Sequence, residues 1–193
     1  AVVAEILGDV NQDKMGKVNV SRADRNWDSL KALWQLKEKV KADSELKELF
    51  TNTETAKDIG KKLADSEKGR AFIKDVMEYA KEYGYKAIYA HEYTYPLYVE
   101  DQTPIYDQIK TYLASDFDFK AVHAKTLSEQ DRAIAELRKM MESKTDDEKK
   151  KFEEALDMNM RMLPLTPDHH FYMDQGTFAR MRLVLIAVGK KLV

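Results

Sequence analysis

Apolar side chains recur at helical spacing along most of the chain, with the exception of its first part. From residue 21 onward, apolar residues repeat three and four positions apart, which is the period of an amphipathic helix. Residues 1–20 show no sustained period and are expected to form an extended lead-in. The apolar stretches predict about seven or eight helices, which include residues 27–40, 46–50, 56–63, 72–83, 105–113, 127–141, 152–163 and 171–192.

Capping residues mark the ends of several predicted helices. Ser66 is placed to cap the fourth helix, and Gly84 follows its end, where a left-handed residue is easily accommodated. Thr145 and Glu148 have the spacing of a capping box. These polar positions bound the apolar stretches and support the helical interpretation.

The last helix carries the clearest start signals. Thr166 is expected to cap it, with Pro167 and Asp168 in its first turn, where a fixed φ and a negative charge are both favourable. Its apolar residues are expected to face inward, and these are Phe171, Phe178, Leu185 and Leu192.

The composition agrees with a helical chain. Only 7 glycines and 4 prolines occur in 193 residues, and alternating β-branched runs are scarce. The predicted fold is therefore an all-α, irregular multi-helix bundle with one long tyrosine-rich connection. Residues 21–193 are expected to form a single helical domain.

Charge and cysteine content exclude several classes of protein. The 32 basic and 34 acidic side chains nearly cancel, and the absence of a basic block disfavours nucleic acid or a membrane surface as a partner. No apolar run reaches the ~18 residues that a membrane span requires. The chain has no cysteine, which rules out disulfides and fits a reducing compartment, so a cytoplasmic location is expected.

The stretch from Tyr83 to Asp101 holds six of the ten tyrosines. Tyrosine combines an apolar ring with a polar tip, so a cluster of them outside a helix suits a surface that grips an aromatic or partly hydrated ligand. The first group of candidate site residues lies here, and it consists of Tyr85, Lys86, Tyr89, His91 and Tyr93. Lysine binds a phosphoryl group and histidine accepts a proton near neutral pH. The alternative is that these aromatic residues only close the end of the bundle.

The second candidate group lies at the start of the last helix. His170 and Asp174 are four residues apart, so on one helix face the carboxylate can orient the imidazole. His169, Tyr172 and Arg180 align on the adjacent stripe. A proton acceptor flanked by ligand-binding groups is therefore predicted here.

Gly176 falls in the middle of this last helix, where glycine costs about 1 kcal/mol relative to alanine. We therefore expect a neighbouring helix or a ligand to approach closely at Gly176. A metal site is a weaker interpretation of the same region, because adjacent histidines point about 100° apart on a helix. No nucleotide-binding glycine loop, nucleophile elbow or zinc-protease motif occurs in the sequence.

Several short motifs resemble those of a known enzyme group. Tyr83-Gly84-Tyr85-Lys86 is followed by residues 96–101, then by Pro104 and by Tyr112-Leu113. In this order they resemble the helical middle region of phosphoenolpyruvate-synthase-like phosphotransferases, which include antibiotic phosphotransferases acting on rifampin and phenylphosphate synthases. The final helix, with Arg182 and Gly189-Lys190-Lys191-Leu192, resembles the helix before the phosphohistidine domain of those enzymes. The resemblance covers residues 22–193.

The chain departs from the pattern of these relatives at several positions. Tyr85 and Lys86 replace a His-Arg pair, and Tyr98 replaces the usual Trp. Residues 168–170 stand where the antibiotic enzymes tend to carry Arg-Glu. The run at residues 87–92 is closer to the phenylphosphate synthases, so the resemblance implies a phenol-like acceptor.

The resemblance also implies partners and a division of labour. In these enzymes an ATP-grasp domain uses ATP and Mg²⁺ to phosphorylate a histidine on a mobile domain, which carries the phosphoryl group to an acceptor site. The present chain resembles neither domain, so it is expected to hold no cofactor and to be inactive alone. It is expected to be the middle piece of a longer polypeptide or a separate subunit.

Three functions stay open at this point. In the first, Lys86 and Arg180 clamp the phosphoryl group of an acceptor site, His91 or His170 accepts the proton, and the tyrosines form the walls. In the second, the chain is a structural spacer between catalytic domains. In the third, it is a helical module that binds a partner protein.

Overall fold

The structure of this chain is a computed structural model that describes residues 12–86 and 94–192. The described residues form helices and no strand, so the all-α prediction is confirmed. The α-helices are α1 Gln12–Val18, α2 Arg25–Ala42, α3 Ser44–Asn52, α4 Ala56–Leu63, α5 Glu67–Tyr83, α6 Thr103–Ala114, α7 Phe119–Met141, α8 Asp146–Met162, α9 Leu165–His170 and α10 Ala179–Leu192. A π-helical segment, Phe171–Phe178, joins α9 to α10. In the described ranges, no helix has the length and hydropathy to cross a bilayer.

The chain separates into two compact units, the first of which comprises Ala1–Arg25 and Phe119–Asp168. Its core lies among α1, α7 and α8 and consists of Val18, Ala133, Ile134, Leu137, Met141, Phe152 and Leu156. Gln130, which is fully buried, donates hydrogen bonds from its amide to the carbonyl oxygens of Val18 and Val20 at 2.8 and 2.7 Å. This side chain therefore fastens the segment after α1 to α7.

The extended lead-in expected over residues 1–20 differs from the structure, because residues 12–18 form helix α1. Met15 and Val18 provide its contacts with the first core, three residues apart. Two apolar residues in a seven-residue helix are too few to reveal a period in the sequence.

The second unit comprises Asn26–Asp118 and His169–Val193. Its core is built from one face of each of α2 to α6, with residues such as Leu33, Val40, Phe50, Ile59, Phe72, Val76, Ile105 and Ile109.

Ser66 caps α5 as predicted and accepts a hydrogen bond from the backbone of Gly69. The capping box of Thr145 and Glu148 is also present, at the start of α8 in the first unit. The expected single domain over residues 21–193 stays a prediction.

A buried lysine stabilises the turn between α6 and α7 in the second unit. Lys37 is 1% exposed, and its ammonium donates hydrogen bonds to Glu38 at 2.7 Å and to the carbonyl of Phe117 at 3.0 Å. Asp116, whose φ of 47° lies in the left-handed region, is 3.7 Å from the same ammonium and also binds Lys41. The hydrogen bond from Lys41 and the charges of both lysines lower the pKa of Asp116. These ion pairs stabilise a backbone conformation that is unfavourable for a residue other than glycine.

The last helix differs from its prediction in two respects. It begins at Leu165, so Thr166 lies in its first turn instead of capping it. Leu185 and Leu192, which were expected to face inward, are exposed. The π-helical segment explains this, because a π turn holds more residues than an α turn and rotates the faces of α10 that follow it.

Gly176 lies within this π-helical segment, and a Cβ added to it would meet nothing within 4 Å. No neighbouring helix therefore approaches Gly176 closely, and that part of the expectation is wrong, whereas the approach of a ligand stays a prediction.

Gly69 is where close packing does require a glycine. A Cβ at this position would lie 2.0 Å from the backbone oxygen of Leu63 at the end of α4. We expect Gly69→Ala to lower the free energy of unfolding by about 3 kcal/mol, because two backbones must move apart. Urea denaturation followed by circular dichroism measures this.

Gly16→Ala is the matched control, since Gly16 is a helical glycine with nothing within 4 Å of the added Cβ. It should raise stability by about 0.5–1 kcal/mol through helix propensity. Equal effects of the two substitutions would contradict the packing explanation.

Candidate functional site

The tyrosine-rich connection is closed at its base by backbone hydrogen bonds. The N–H of Gly84 donates to Ala80 at 2.8 Å and ends α5. The carbonyl of Gly84 then accepts from the N–H of Val99, and that of Lys86 accepts from Tyr98, both at 2.9 Å. Residues 84–86 are therefore tied to residues 98–99. The φ of Gly84 is −94°, so the left-handed conformation expected there does not occur, and the glycine instead avoids a Cβ 2.5 Å from the oxygen of Ala80.

A compact turn returns the chain from the connection to α6. The carboxylate of Glu100 accepts a hydrogen bond from the N–H of Leu97 at 2.9 Å, and the N–H of Glu100 donates to the Leu97 carbonyl at 2.8 Å. The amide of Gln102 binds the carbonyl oxygens of Tyr98 and Val99 at 3.2 and 3.0 Å. The turn thus holds Tyr98 and Glu100 in fixed positions beside the base of the connection.

The final helical region of the second unit packs against this base. Phe171 contacts Tyr83 edge-on, with ring centroids 6.1 Å apart. The guanidinium of Arg180 lies over the ring of Tyr85, 5.1 Å from its centroid. Tyr85 belongs to the first group of predicted site residues and Arg180 to the second. The structure therefore brings one member of each group together. A guanidinium over an aromatic face is an attractive cation–π contact.

Lys86 makes a second contact of this kind. Its ammonium lies 5.4 Å from the centroid of the Tyr98 ring, and Tyr98 is buried. Burial lowers the pKa of Lys86 and raises that of Tyr98. Among the described residues no carboxylate forms an ion pair with Lys86, so an aromatic face takes the place of a counter-ion. A lysine in this environment can bind an anion or exchange a proton more readily than a fully hydrated one.

Arg182 forms an ion pair with Glu100. Arg182 is buried, and Glu100 is less than a third exposed. Burial acts to raise the pKa of Glu100, but hydrogen bonds from Arg182 and the Leu97 N–H, with the positive charges of Arg182 and Lys190, outweigh it and lower that pKa. Both residues stand at motif positions in the sequence, but no sequence pattern predicted their pairing. The available signal was an arginine directly before the apolar run of α10.

The other predicted residues of the last helix lie on its surface. His169, His170 and Tyr172 are exposed, and the two imidazole rings are 6.2 Å apart. These three residues lie where α9 ends and the π-helical segment begins. Turns of π-helix occur frequently at functional sites. The side chain of Asp174 lies outside the described part of the chain, so its pairing with His170 stays a prediction.

Three predicted residues of the connection, Tyr89, His91 and Tyr93, lie outside the described residues. The shared cleft of His91, His170 and Lys86 therefore stays a prediction. Within the described residues, no group of three or more histidine or acidic side chains is arranged to hold a metal ion.

Comparisons with known proteins relate most of the chain to one family. A family model described as the rifampicin phosphotransferase fourth domain matches residues 3–165. An uncharacterized phosphotransferase of Bacillus subtilis (strain 168), YvkC, is 22% identical over 192 residues, which are 100% of this chain and 23% of that protein. Chondramide synthase cmdD of Chondromyces crocatus is 25% identical over 170 residues, or 84% of this chain and 4% of that protein. The chain spans less than a quarter of either relative. No solved structure gives a significant match.

The pair of Glu100 and Arg182 should make stability depend on pH. Because the folded pKa of Glu100 is lowered, its contribution is present above the unfolded value of about 4.3 and is lost as pH falls through the folded value. We expect Glu100→Gln to lower the free energy of unfolding by about 1–2 kcal/mol at pH 7. The difference between wild type and variant should shrink below about pH 4.

Urea denaturation at pH 7, 5 and 3 provides the measurement. Glu54→Gln, at an exposed position in the same unit, is the control and should change stability little at any pH. A Glu100→Gln effect that stays constant from pH 7 to pH 3 would count against the ion pair.

Proposed function

Because this chain belongs to the family of rifampicin phosphotransferase fourth domains, we propose that it is the acceptor-binding domain of a larger phosphotransferase. The family match confirms the resemblance of the sequence to rifampin-type phosphotransferases. The relatives extend well beyond the region that this chain matches, which agrees with a role as one domain among several. The ATP-grasp and phosphohistidine domains implied by the resemblance are the proposed partners, with ATP and Mg²⁺ acting there.

The proposed reaction step is transfer from phosphohistidine to a small hydroxyl acceptor. The P–N bond of the phosphohistidine breaks, a P–O bond to the acceptor forms, and the hydroxyl proton passes to a base. A domain on the acceptor side has to bind the acceptor, orient its hydroxyl, neutralise phosphoryl charge and accept that proton. It needs no nucleotide-binding loop of its own.

The observation that supports this proposal best is the pair of cation–aromatic contacts at the base of the connection. Arg180 lies over Tyr85 and Lys86 lies over Tyr98. In the described chain neither cation has a carboxylate partner, so their charge is available to an anion. Aromatic faces beside cations suit a flat phenolic acceptor that gains a phosphoryl group.

Roles follow for the individual residues. Lys86 and Arg180 hold the phosphoryl group, while Tyr85 binds the acceptor ring together with Tyr89, Tyr93 and Tyr172. His169 contributes a further hydrogen-bonding group beside Tyr172. His91 or His170 accepts the hydroxyl proton, with Asp174 orienting His170.

Binding can be tested on this chain with phenyl phosphate as the probe. Calorimetry should show that phenyl phosphate binds more tightly than inorganic phosphate. Its phenyl ring can contact the tyrosine rings while its phosphate contacts the two cations. Arg180→Ala and Lys86→Met should each weaken binding about tenfold.

Lys57→Ala is the control for the binding test, since Lys57 is exposed on α4, and it should leave binding unchanged. If phenyl phosphate binds no better than phosphate, or if both site variants bind like wild type, the acceptor assignment is wrong.

The proton acceptor can be tested in the full-length protein by following the two half-reactions separately. His170→Ala should slow transfer from phosphohistidine to the acceptor by about 10²–10⁴-fold, the usual contribution of a general base. ATP-dependent phosphorylation of the histidine should be unaffected, because that step does not use this surface.

His123→Ala is the matched control, since His123 stacks on Phe119 and binds the carbonyl of Arg22 at 3.1 Å in the first unit. It should alter neither half-reaction. If His170→Ala and His91→Ala both leave transfer unchanged, the proton goes elsewhere and the proposed base is wrong.

A further inference from the structure

Helix α10 is apolar on nearly all sides. Between Arg182 and Lys190 it contains only Leu183, Val184, Leu185, Ile186, Ala187, Val188 and Gly189. Ala179 and Arg182 are buried against the second unit, and Leu183 and Ile186 are half-buried. A helix that is apolar all round is normally covered on more than one side, whereas the buried residues that the structure describes in α10 lie near one another on one side.

The uncovered side of α10 carries a continuous apolar stripe. Its members lie at the spacing i, i+3, i+4, i+7 and i+11, and they are between 48% and 82% exposed: Met181, Val184, Leu185, Val188 and Leu192. At about 100° per residue these five side chains span an arc of about 100°. Such a narrow stripe of five large apolar residues matches the seam along which two helices pack, and we call it the α10 stripe.

The charges beside the α10 stripe have one sign. Helix α10 contains four basic residues and no acidic one. Arg180 precedes Val184 by four residues and Lys191 follows it by seven, so both flank the stripe on the side of Val184. The surface is therefore complementary to an apolar seam that is bordered by carboxylates.

We propose that the α10 stripe is a docking surface for an amphipathic helix, outside these 193 residues, whose apolar seam is flanked by Asp or Glu. A second copy of α10 would place like charges beside each other, which opposes self-association through this surface. Helices that lie in a membrane surface usually carry aromatic anchors, and α10 has none. This docking does not depend on acceptor binding at Tyr85 and Lys86.

Synthetic helical peptides provide the probe. A set with Leu, Ile or Met at the seam positions is prepared twice, once with Glu and once with Lys on both flanks. Fluorescence anisotropy at low salt should show the Glu peptides binding this chain at least about tenfold more tightly than the Lys peptides. The difference should shrink at high salt, because the flanking ion pairs are exposed and therefore screened.

Val184→Ser with Val188→Ser is the test variant, and it should weaken binding of the Glu peptides at least about tenfold by removing apolar contact area. Both residues are exposed, so thermal unfolding should be unchanged. Met158→Ser is the control, because Met158 is equally exposed on α8 in the other unit. It should bind the Glu peptides like wild type.

Several results would overturn the proposal. The first is that the chain binds neither peptide type, and the second is that it binds the Glu and the Lys peptides equally well. The third is that the double variant binds the Glu peptides as tightly as wild type does. Sedimentation that shows a dimer lost in the double variant would assign the stripe to a second copy instead. Binding to vesicles of anionic phospholipid that is lost in the same variant would assign it to a membrane.

Discussion

The ion pair between Arg182 and Glu100 is the constraint on which the functional end of the second unit depends. It joins positions 82 residues apart, one on α10 and one in the turn before α6. A buried arginine loses stability without its carboxylate, so the pair holds the Arg182 face of α10 against the turn before α6. The same carboxylate accepts a hydrogen bond from the N–H of Leu97. Glu100 therefore links α10 to the end of the tyrosine-rich connection.

Two further features of α10 lie close to Arg182 in the sequence. Arg180, two residues earlier, is brought over the ring of Tyr85. Val184, which lies on the side of α10 away from Arg182, is exposed, and so is the neighbouring Leu185. The cation–aromatic contact and the exposed stripe thus lie on the same helix, although we assign them different ligands.

The base of the connection shows how an irregular segment can be held without a strand or a disulfide. Backbone hydrogen bonds tie residues 84–86 to residues 98–99, and the ring of Tyr98 is buried under Lys86. Aromatic faces stabilise the two cations, and no carboxylate in the described part of the chain pairs with either of them. An acceptor site needs this combination, because its cations must bind a phosphoryl group that is present only during transfer.

The sequence by itself determined most of the helices, several of their caps and the family, and tertiary structure decided the site. Helical period, Ser66 and the box of Thr145 and Glu148 act within a few residues, so local sequence specifies them. The short motifs around Tyr83 and residues 96–101 carried enough information to indicate the phosphotransferases. The pairing of Arg182 with Glu100 and the contact of Arg180 with Tyr85 join residues far apart in sequence, and no local period encodes them. The exposure of Leu185 was likewise decided by the π-helical segment, because a local change in residues per turn rotates every face that follows it.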